Sequence, residues 1–263
     1  MNIRKYGKSP YELAVVHGGP GGAGEVEPVA RFLSRFFGVL EPIQNARSVK
    51  GQVDELYGST RPLVDKPVVL AGHSWGAWLS LLCAAKYPEL VKKLILISSG
   101  PFEDRYAEGI NRQRISRLSV NERKEYFDIL NRLGNNNPPS RNDDFLRLGD
   151  LCKKADIVEP VDDAPAFTPA VELTDDPEKI HMSIWPEAAR LRTSGGLLSS
   201  AACIKCPVIV IHGDNDSHPF QGVKEPLSRH FKNMQCYVLD KCGHYPWLEK
   251  HASVKFYEIM RYE

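Results

Sequence analysis

A short apolar run that leads directly into a glycine-flanked serine is the feature that most limits how this chain can fold. Residues 67–72 read PVVLAG, which predicts a buried β-strand, and residues 72–76 follow as GHSWG. Residues 75–86 then have a helical pattern, which the pair Tyr87-Pro88 ends. A strand, a sharp turn and a helix in this order are typical of a parallel α/β sheet, and Ser74 lies at the turn.

The rest of the chain alternates between strand-like and helix-like segments. Other strands are predicted at 12–17, 37–43, 93–98, 206–212 and 235–239, and other helices at 26–37, 48–57, 223–231 and 247–261. Strands separated by helices predict an α/β, mostly parallel, doubly wound sheet with helices on both faces.

One long segment departs from this alternation. Between 100 and 200 the pattern is polar and helical, with loop-rich stretches at 134–140 and 159–177. We therefore expect a core formed by residues 1–99 and 201–263, with a helical cap inserted at 100–200.

Charge and hydropathy narrow the class of protein. The 34 Lys and Arg residues nearly balance 33 Asp and Glu, for a net charge of +1, which argues against a nucleic-acid surface or a polybasic membrane anchor. No run approaches the ~18 apolar residues of a membrane span. The first residues are not followed by the apolar segment of a secretory signal, so we expect a cytoplasmic protein.

We expect the six cysteines to be free thiols, because disulfides are rare in cytoplasmic proteins. Cys203 and Cys206 form a CxxC pair that is compatible with a zinc or redox site, but Cys236 and Cys242 are spaced unlike a zinc ribbon. Buried small residues are the favoured interpretation.

The glycines around Ser74 indicate a nucleophile. Gly72 and Gly76 allow a sharp turn that exposes the hydroxyl at a helix N-terminus. A serine hydroxyl needs a general base, because its own pKa lies far above neutrality. His244, in the sequence CGHYP between the last strand and the last helix, is the predicted base, whereas His212 ends a strand and is expected to bond locally.

An acid should orient that histidine, and the sequence HGDND after the penultimate strand offers two carboxylates. Asp216 lies further into the loop and is favoured. Asp214, near the strand end, is the alternative, and Asp240 is a third choice.

The glycine loop HGGPGG at residues 17–22 suggests an oxyanion hole. Its second donor is predicted to be the N–H of Gly19, and the first is the N–H of Trp75, directly after the nucleophile. Phosphate binding is the alternative for such a loop, but no Walker lysine follows it.

Together, HGGPGG and GHSWG make the chain similar to α/β-hydrolase fold proteins along nearly its full length, and to their proline iminopeptidase-like branch. The resemblance implies a Ser74, Asp216 and His244 triad, and it implies no metal or cofactor. The leading hairpin is shorter than in that family. In the cap, Trp185 and Glu187 are candidate substrate contacts, although a solvated glutamate is the favoured interpretation of Glu187.

These observations give three hypotheses about function. The first is hydrolysis of a small ester, lactone or amide by acyl transfer. The second is an aminopeptidase that releases an N-terminal residue. The third is a ligand-binding signalling protein that retains the triad. The expected partner is a small molecule or short peptide, with no nucleic acid and no membrane.

Overall fold

The computed structural model describes residues 2–134, 141–163 and 176–263. The strands are β1 (Ile3–Tyr6), β2 (Tyr11–Val16), β3 (Gly38–Pro42), β4 (Val68–His73), β5 (Val91–Ile97), β6 (Val208–Gly213) and β7 (Gln235–Leu239). The helices are α1 (Glu27–Leu33), α2 (Val49–Thr60), α3 (Trp75–Lys86), α4 (Ile110–Arg117), α5 (Val120–Gly134), α6 (Arg141–Asp156), α7 (Pro177–Thr193), α8 (Gly196–Ala201), α9 (Gln221–Ser228) and α10 (Ser253–Tyr262).

The strands form one sheet in the order β1-β3-β2-β4-β5-β6-β7. β1 pairs antiparallel with β3, and the other neighbouring pairs are parallel. The predicted mostly parallel sheet is therefore confirmed. Because the central strands run in one direction, the loops that follow β2, β4, β6 and β7 meet at one edge of the sheet.

Apolar side chains cover both faces of the sheet. Along β4, Leu70 belongs to a cluster that includes α2 and α3, whereas Ala71 belongs to a cluster that includes α1 and α10. Successive side chains of a strand point to opposite faces, so a strand buried on both sides reads as a continuous apolar run. This is the physical reason for the pattern PVVLAG.

The helices between β5 and β6 pack in two different ways. α4, α5 and α6 share a small cluster of their own, which includes Leu118, Tyr126 and Leu151. α7 and α8 instead bury Ile184 and Leu197 in the sheet cluster that contains α3. The loops predicted at 134–140 and 159–177 fall largely outside the described residues.

Two helices are shorter than predicted. α1 ends at Leu33 because the next residues form tight turns, in which Phe36 N–H donates to Leu33 O, before Gly38 begins β3. α10 begins at Ser253 rather than at 247, since Pro246 starts a separate 3-10 turn.

All six cysteines are free thiols, as expected. Within the described ranges, no helix has both the length and the apolar character required to cross a bilayer.

Candidate active site

Ser74 occupies a tight turn between β4 and α3. Its backbone has φ 54° and ψ −116°, and its N–H donates to Ile97 O at 3.0 Å. A Cβ on Gly72 would overlap the carbonyl oxygen of Gly76, and a Cβ on Gly76 would overlap that of His17. Both glycines are therefore required by the turn, which places Ser74 at the N-terminus of α3 where backbone N–H groups favour negative charge.

The glycine loop passes directly beside this serine. The position that a Cβ on Gly18 would occupy lies 3.2 Å from Ser74 Cβ. Gly19 has φ 105°, a conformation that favours glycine, and a Cβ there would lie 2.6 Å from Gly22 N. The loop thus brings main-chain groups close to Ser74. Gly19 as the second oxyanion donor stays a prediction.

Asp216 and His244 form a buried hydrogen-bonded pair at the same edge of the sheet. Nδ1 of His244 lies 2.8 Å from Oδ2 and 3.0 Å from Oδ1 of Asp216. Asp216 follows β6 and His244 follows β7, so the sheet topology brings their loops together. Because Nδ1–H donates to the carboxylate, a neutral His244 has its acceptor at Nε2, which is the tautomer required of a general base.

The two pKa values shift in the directions that this pair requires. Burial raises the pKa of Asp216, but the charges of His244 and His212 outweigh burial and hold it well below its ordinary 3.8. Burial lowers the pKa of His244, but the Asp216 carboxylate outweighs it and the net pKa is above 6.5. Asp216 therefore stays ionised and stabilises the His244 imidazolium.

Two more histidines, His212 and His218, lie next to Asp216. The sequence analysis did not predict a role for His218, which lies two residues after Asp216 in the chain. Its ring stacks on His244 with centroids 4.3 Å apart, and its Nδ1 lies 3.1 Å from Asp216 Oδ1. Burial and His244 lower the pKa of His218 to about 4, so it is neutral near pH 7. His212 bonds locally, as predicted, with Nε2 donating to His218 O at 2.8 Å.

Asp216, His218 and His244 are also spaced closely enough to act as ligands of one metal ion, among the residues that the structure describes. Single atoms of Asp216, His218 and His244 lie within 4.8 Å of one another. The Nδ1 atoms of His218 and His244 both hydrogen-bond to the Asp216 carboxylate, so this arrangement also orients the two histidine rings without a metal ion.

The alternative acids lie elsewhere. Asp214 Oδ1 accepts the N–H of Cys242 at 3.1 Å, which ties the loop after β6 to the loop after β7. Asp240 is exposed. Neither contacts the His244 ring through a hydrogen bond in the described structure.

A buried ion pair from the inserted helices supports both loops. Arg114 of α4 lies 2.5 Å from Asp156 at the end of α6, and the Ser217 hydroxyl also donates to Asp156. The N–H of His244 donates to Asp156 O at 2.8 Å. Sequence reasoning missed this pair because its two members lie 42 residues apart in a segment without a recognisable motif.

The two predicted substrate contacts lie on α7. Trp185 is 40% exposed and stacks on Trp78 with centroids 6.4 Å apart. Glu187 Oε2 accepts the N–H of Val49 at 2.8 Å, at the start of α2. Glu187 also lines an open groove of about 830 Å³, but Ser74 is not among the lining residues. Substrate contact by either residue stays a prediction.

The fold and this arrangement of loops define an α/β-hydrolase. The model of the alpha/beta hydrolase family matches residues 15–256, and the chain belongs to that family.

Three individual proteins that this chain resembles share 30% identity or less with it over the matched residues. A 2-(acetamidomethylene)succinate hydrolase of Mesorhizobium japonicum is 30% identical over 112 residues, which cover 39% of this chain and only 40% of the relative. A pimeloyl-[acyl-carrier protein] methyl ester esterase of Nitrosomonas europaea is 23% identical over 256 residues, which cover 94% of both proteins. The crystal structure of VinJ superposes with a TM-score of 0.71 at 19% identity, covering 98% of this chain and 92% of VinJ.

Proposed function

We propose that the protein is a serine hydrolase that cleaves a small ester, lactone or amide through an acyl-enzyme formed on Ser74. The observation that carries this proposal is the buried Asp216–His244 pair, at 2.8 Å, on loops that share a sheet edge with the Ser74 turn. A base with a pKa above 6.5, at the sheet edge that carries a serine at a helix N-terminus, is suited to acyl transfer.

In this mechanism His244 Nε2 takes the proton of Ser74 as the hydroxyl attacks the carbonyl carbon. Asp216 holds the resulting imidazolium at Nδ1. The N–H groups of Trp75 and Gly19 stabilise the oxyanion, each contributing roughly 3–4 kcal/mol. His244 then protonates the leaving group, and a water molecule, activated by the same histidine, releases the acyl group.

The substrate class is supported by the names of two relatives. One is a methyl ester esterase and the other hydrolyses an acetamido compound. A methyl ester and an acetamide each contain an acyl carbon, which is the atom that a serine nucleophile attacks.

Removal of the Ser74 hydroxyl tests the proposal. The wild-type protein should react with a fluorophosphonate probe and hydrolyse p-nitrophenyl acetate, and Ser74→Ala should lose both activities. Ser98→Ala is a matched control, because Ser98 also has a positive φ (44°) directly after β5. Labelling of Ser74→Ala equal to that of the wild type would contradict the proposal, as would an unreactive wild-type protein.

Proline iminopeptidase-like cleavage is the second proposal, and it is supported by the HGGPGG loop. Such a peptidase needs a carboxylate for the substrate amino group, and the candidate Glu187 bonds to Val49 instead. Turnover of proline-p-nitroanilide without turnover of esters would reverse this ranking. A wild-type protein that binds the probe but turns over neither class would favour ligand binding.

A further inference from the structure

A second carboxylate, from Glu25, lies in the same site and has no part in the proposed triad. Glu25 is 8% exposed and follows the glycine loop, to which its N–H is bonded at Gly22 O, 3.1 Å away. Its Oε2 lies 2.9 Å from the position that a Cβ on Gly18 would occupy, which is also 3.2 Å from Ser74 Cβ. The carboxylate therefore packs against the segment of loop that faces the serine.

The other oxygen of this carboxylate pairs with the residue that precedes the nucleophile. Nδ1 of His73 lies 2.9 Å from Glu25 Oε1. Nε2 of the same ring lies 2.9 Å from the carbonyl oxygen of His244. The His73 imidazole, whose side chain is fully buried, thus connects the glycine loop to the loop that carries His244.

The hydrogen bond to His244 fixes one end of the His73 ring. A carbonyl oxygen only accepts, so His73 Nε2 carries a proton and donates it. At the other end of the ring, Nδ1 lies 2.9 Å from Glu25 Oε1. Burial raises the pKa of Glu25, but the interactions with His73 and His244 outweigh burial and lower that pKa. The ionised Glu25 carboxylate therefore lies directly against the His73 ring.

We propose that Glu25 and His73 are positioning residues whose buried contact holds the glycine loop, the Ser74 turn and the His244 loop in the relative positions that catalysis needs. The proposal rests on the proposed serine hydrolase function. The N–H of Glu25 bonds to the glycine loop, its carboxylate lies against His73 directly before Ser74, and His73 Nε2 donates to the carbonyl oxygen of His244. A displacement of about 1 Å in such a site costs roughly 100-fold in rate.

Other charged groups also face this pair. His17 interacts with Glu25 from β2's carboxyl end, and Lys153 does so from α6. Burial lowers the pKa of both groups. Burial, and then the Glu25 charge, raise the pKa of Tyr245, which directly follows His244. The hydrogen bond from His73 Nε2 to His244 O is a link from this pair to the same loop.

The test compares two buried carboxylates from the same short segment. Glu25→Ala should lower kcat for p-nitrophenyl acetate by about 10- to 100-fold, with KM within about twofold of wild type. Glu27→Ala is the control, because Glu27 is 5% exposed and pairs with Arg31 outside the site. It should lower stability and leave kcat unchanged. Equal losses of kcat in the two variants, or none in Glu25→Ala, would overturn the proposal.

A conservative variant separates hydrogen bonding from loss of the fold. Glu25→Gln keeps a partner for His73 Nδ1 and should restore kcat to within about threefold of wild type. Failure of this rescue in a folded Glu25→Gln protein would also overturn the positioning role.

A spectroscopic measurement tests the contact between Glu25 and His73 without any activity. In ¹⁵N-histidine-labelled protein, Glu25→Gln should shift the ring ¹⁵N resonances of His73, because the Glu25 carboxylate lies 2.9 Å from Nδ1. His73 ring resonances that stay unchanged in Glu25→Gln would overturn the contact. Because this result does not depend on turnover, it distinguishes failure of the positioning proposal from failure of the proposed function, which fluorophosphonate labelling of the wild type tests.

Discussion

At the scale of single residues, Ser74 is held in a strained backbone conformation. A non-glycine residue at φ 54° and ψ −116° costs of order 1–3 kcal/mol. Ser74→Gly should therefore unfold with a free energy about 0.5–2 kcal/mol higher than Ser74→Ala, even after the entropy cost of glycine is subtracted. Urea denaturation of the two variants measures the difference. An alanine variant as stable as the glycine variant would mean that the turn is unstrained.

The protonation state of His244 predicts how activity depends on pH. Because Asp216 raises the His244 pKa above 6.5, and the base must be neutral, kcat/KM should rise with pH through an apparent pKa above 6.5. Asp216→Asn removes the charge that raises it, so the midpoint should move to lower pH and the plateau should fall by about 10⁴-fold. An unchanged midpoint in Asp216→Asn would show that another group controls this limb.

The Asp216–His244 pair also makes the stability of the native protein depend on pH. The raised His244 pKa contributes stability that is full below pH 6.5 and is lost as pH rises through the folded value. The depressed Asp216 pKa contributes stability that is present above 3.8 and is lost as pH falls through its folded value. The pair therefore stabilises the native protein most in the window between 3.8 and 6.5.

At the scale of elements, the sequence was most informative where apolar runs and turn residues coincide. α3 and β7 have the predicted bounds, Trp75–Lys86 and Gln235–Leu239, because clear breakers flank them. Ser48 caps α2, accepting the N–H of Gly51 at 3.1 Å, close to the predicted helix start at 48. The predicted bounds of α1 and α10 were wrong because local turns, at residues 34–37 and at Pro246–Leu248, interrupt patterns that read as one continuous helix.

The candidate site also contains residues that the sequence predicts and residues that it does not. Ser74, Asp216 and His244 each lie in a loop after a strand, so local motifs and strand order were enough to predict them. Glu25 and Asp156 were not predictable, since each acts through partners distant in sequence. Only the packed fold shows that Asp156 supports His244.

The Arg114–Asp156 ion pair gives a prediction at this scale. Arg114→Met leaves a carboxylate that is 1% exposed without its cation, which should destabilise the protein by about 3–5 kcal/mol. The double variant Arg114→Met/Asp156→Leu should recover most of that loss, because two apolar residues replace a costly buried pair. Thermal denaturation of both variants checks this. A double variant no more stable than Arg114→Met would show that the carboxylate also stabilises the fold through Ser217.

At the scale of the whole molecule, the inserted helices combine weak cohesion with close contact to the site. Among the described residues, the cluster within α4, α5 and α6 contains five buried residues, far fewer than either sheet cluster. Segments with few buried apolar contacts open at lower free energy than the core. Yet Asp156 bonds His244 N–H at 2.8 Å, and Arg117 donates to Asn215 O at 2.6 Å. Opening of these helices must therefore release the loops that carry Asp216 and His244.

Loss of activity should accordingly precede unfolding of the sheet. Fluorophosphonate labelling of Ser74 should disappear at a lower urea concentration than the main far-UV circular dichroism transition, because α4–α6 open first. Hydrogen exchange should be faster in α4–α6 than in β4 and β5 at the same urea concentration. Arg114→Met should widen the gap, since it weakens the link from α4 to Asp156 directly. Coincident loss of labelling and secondary structure, in both proteins, would show instead that the inserted helices and the sheet unfold as one cooperative unit.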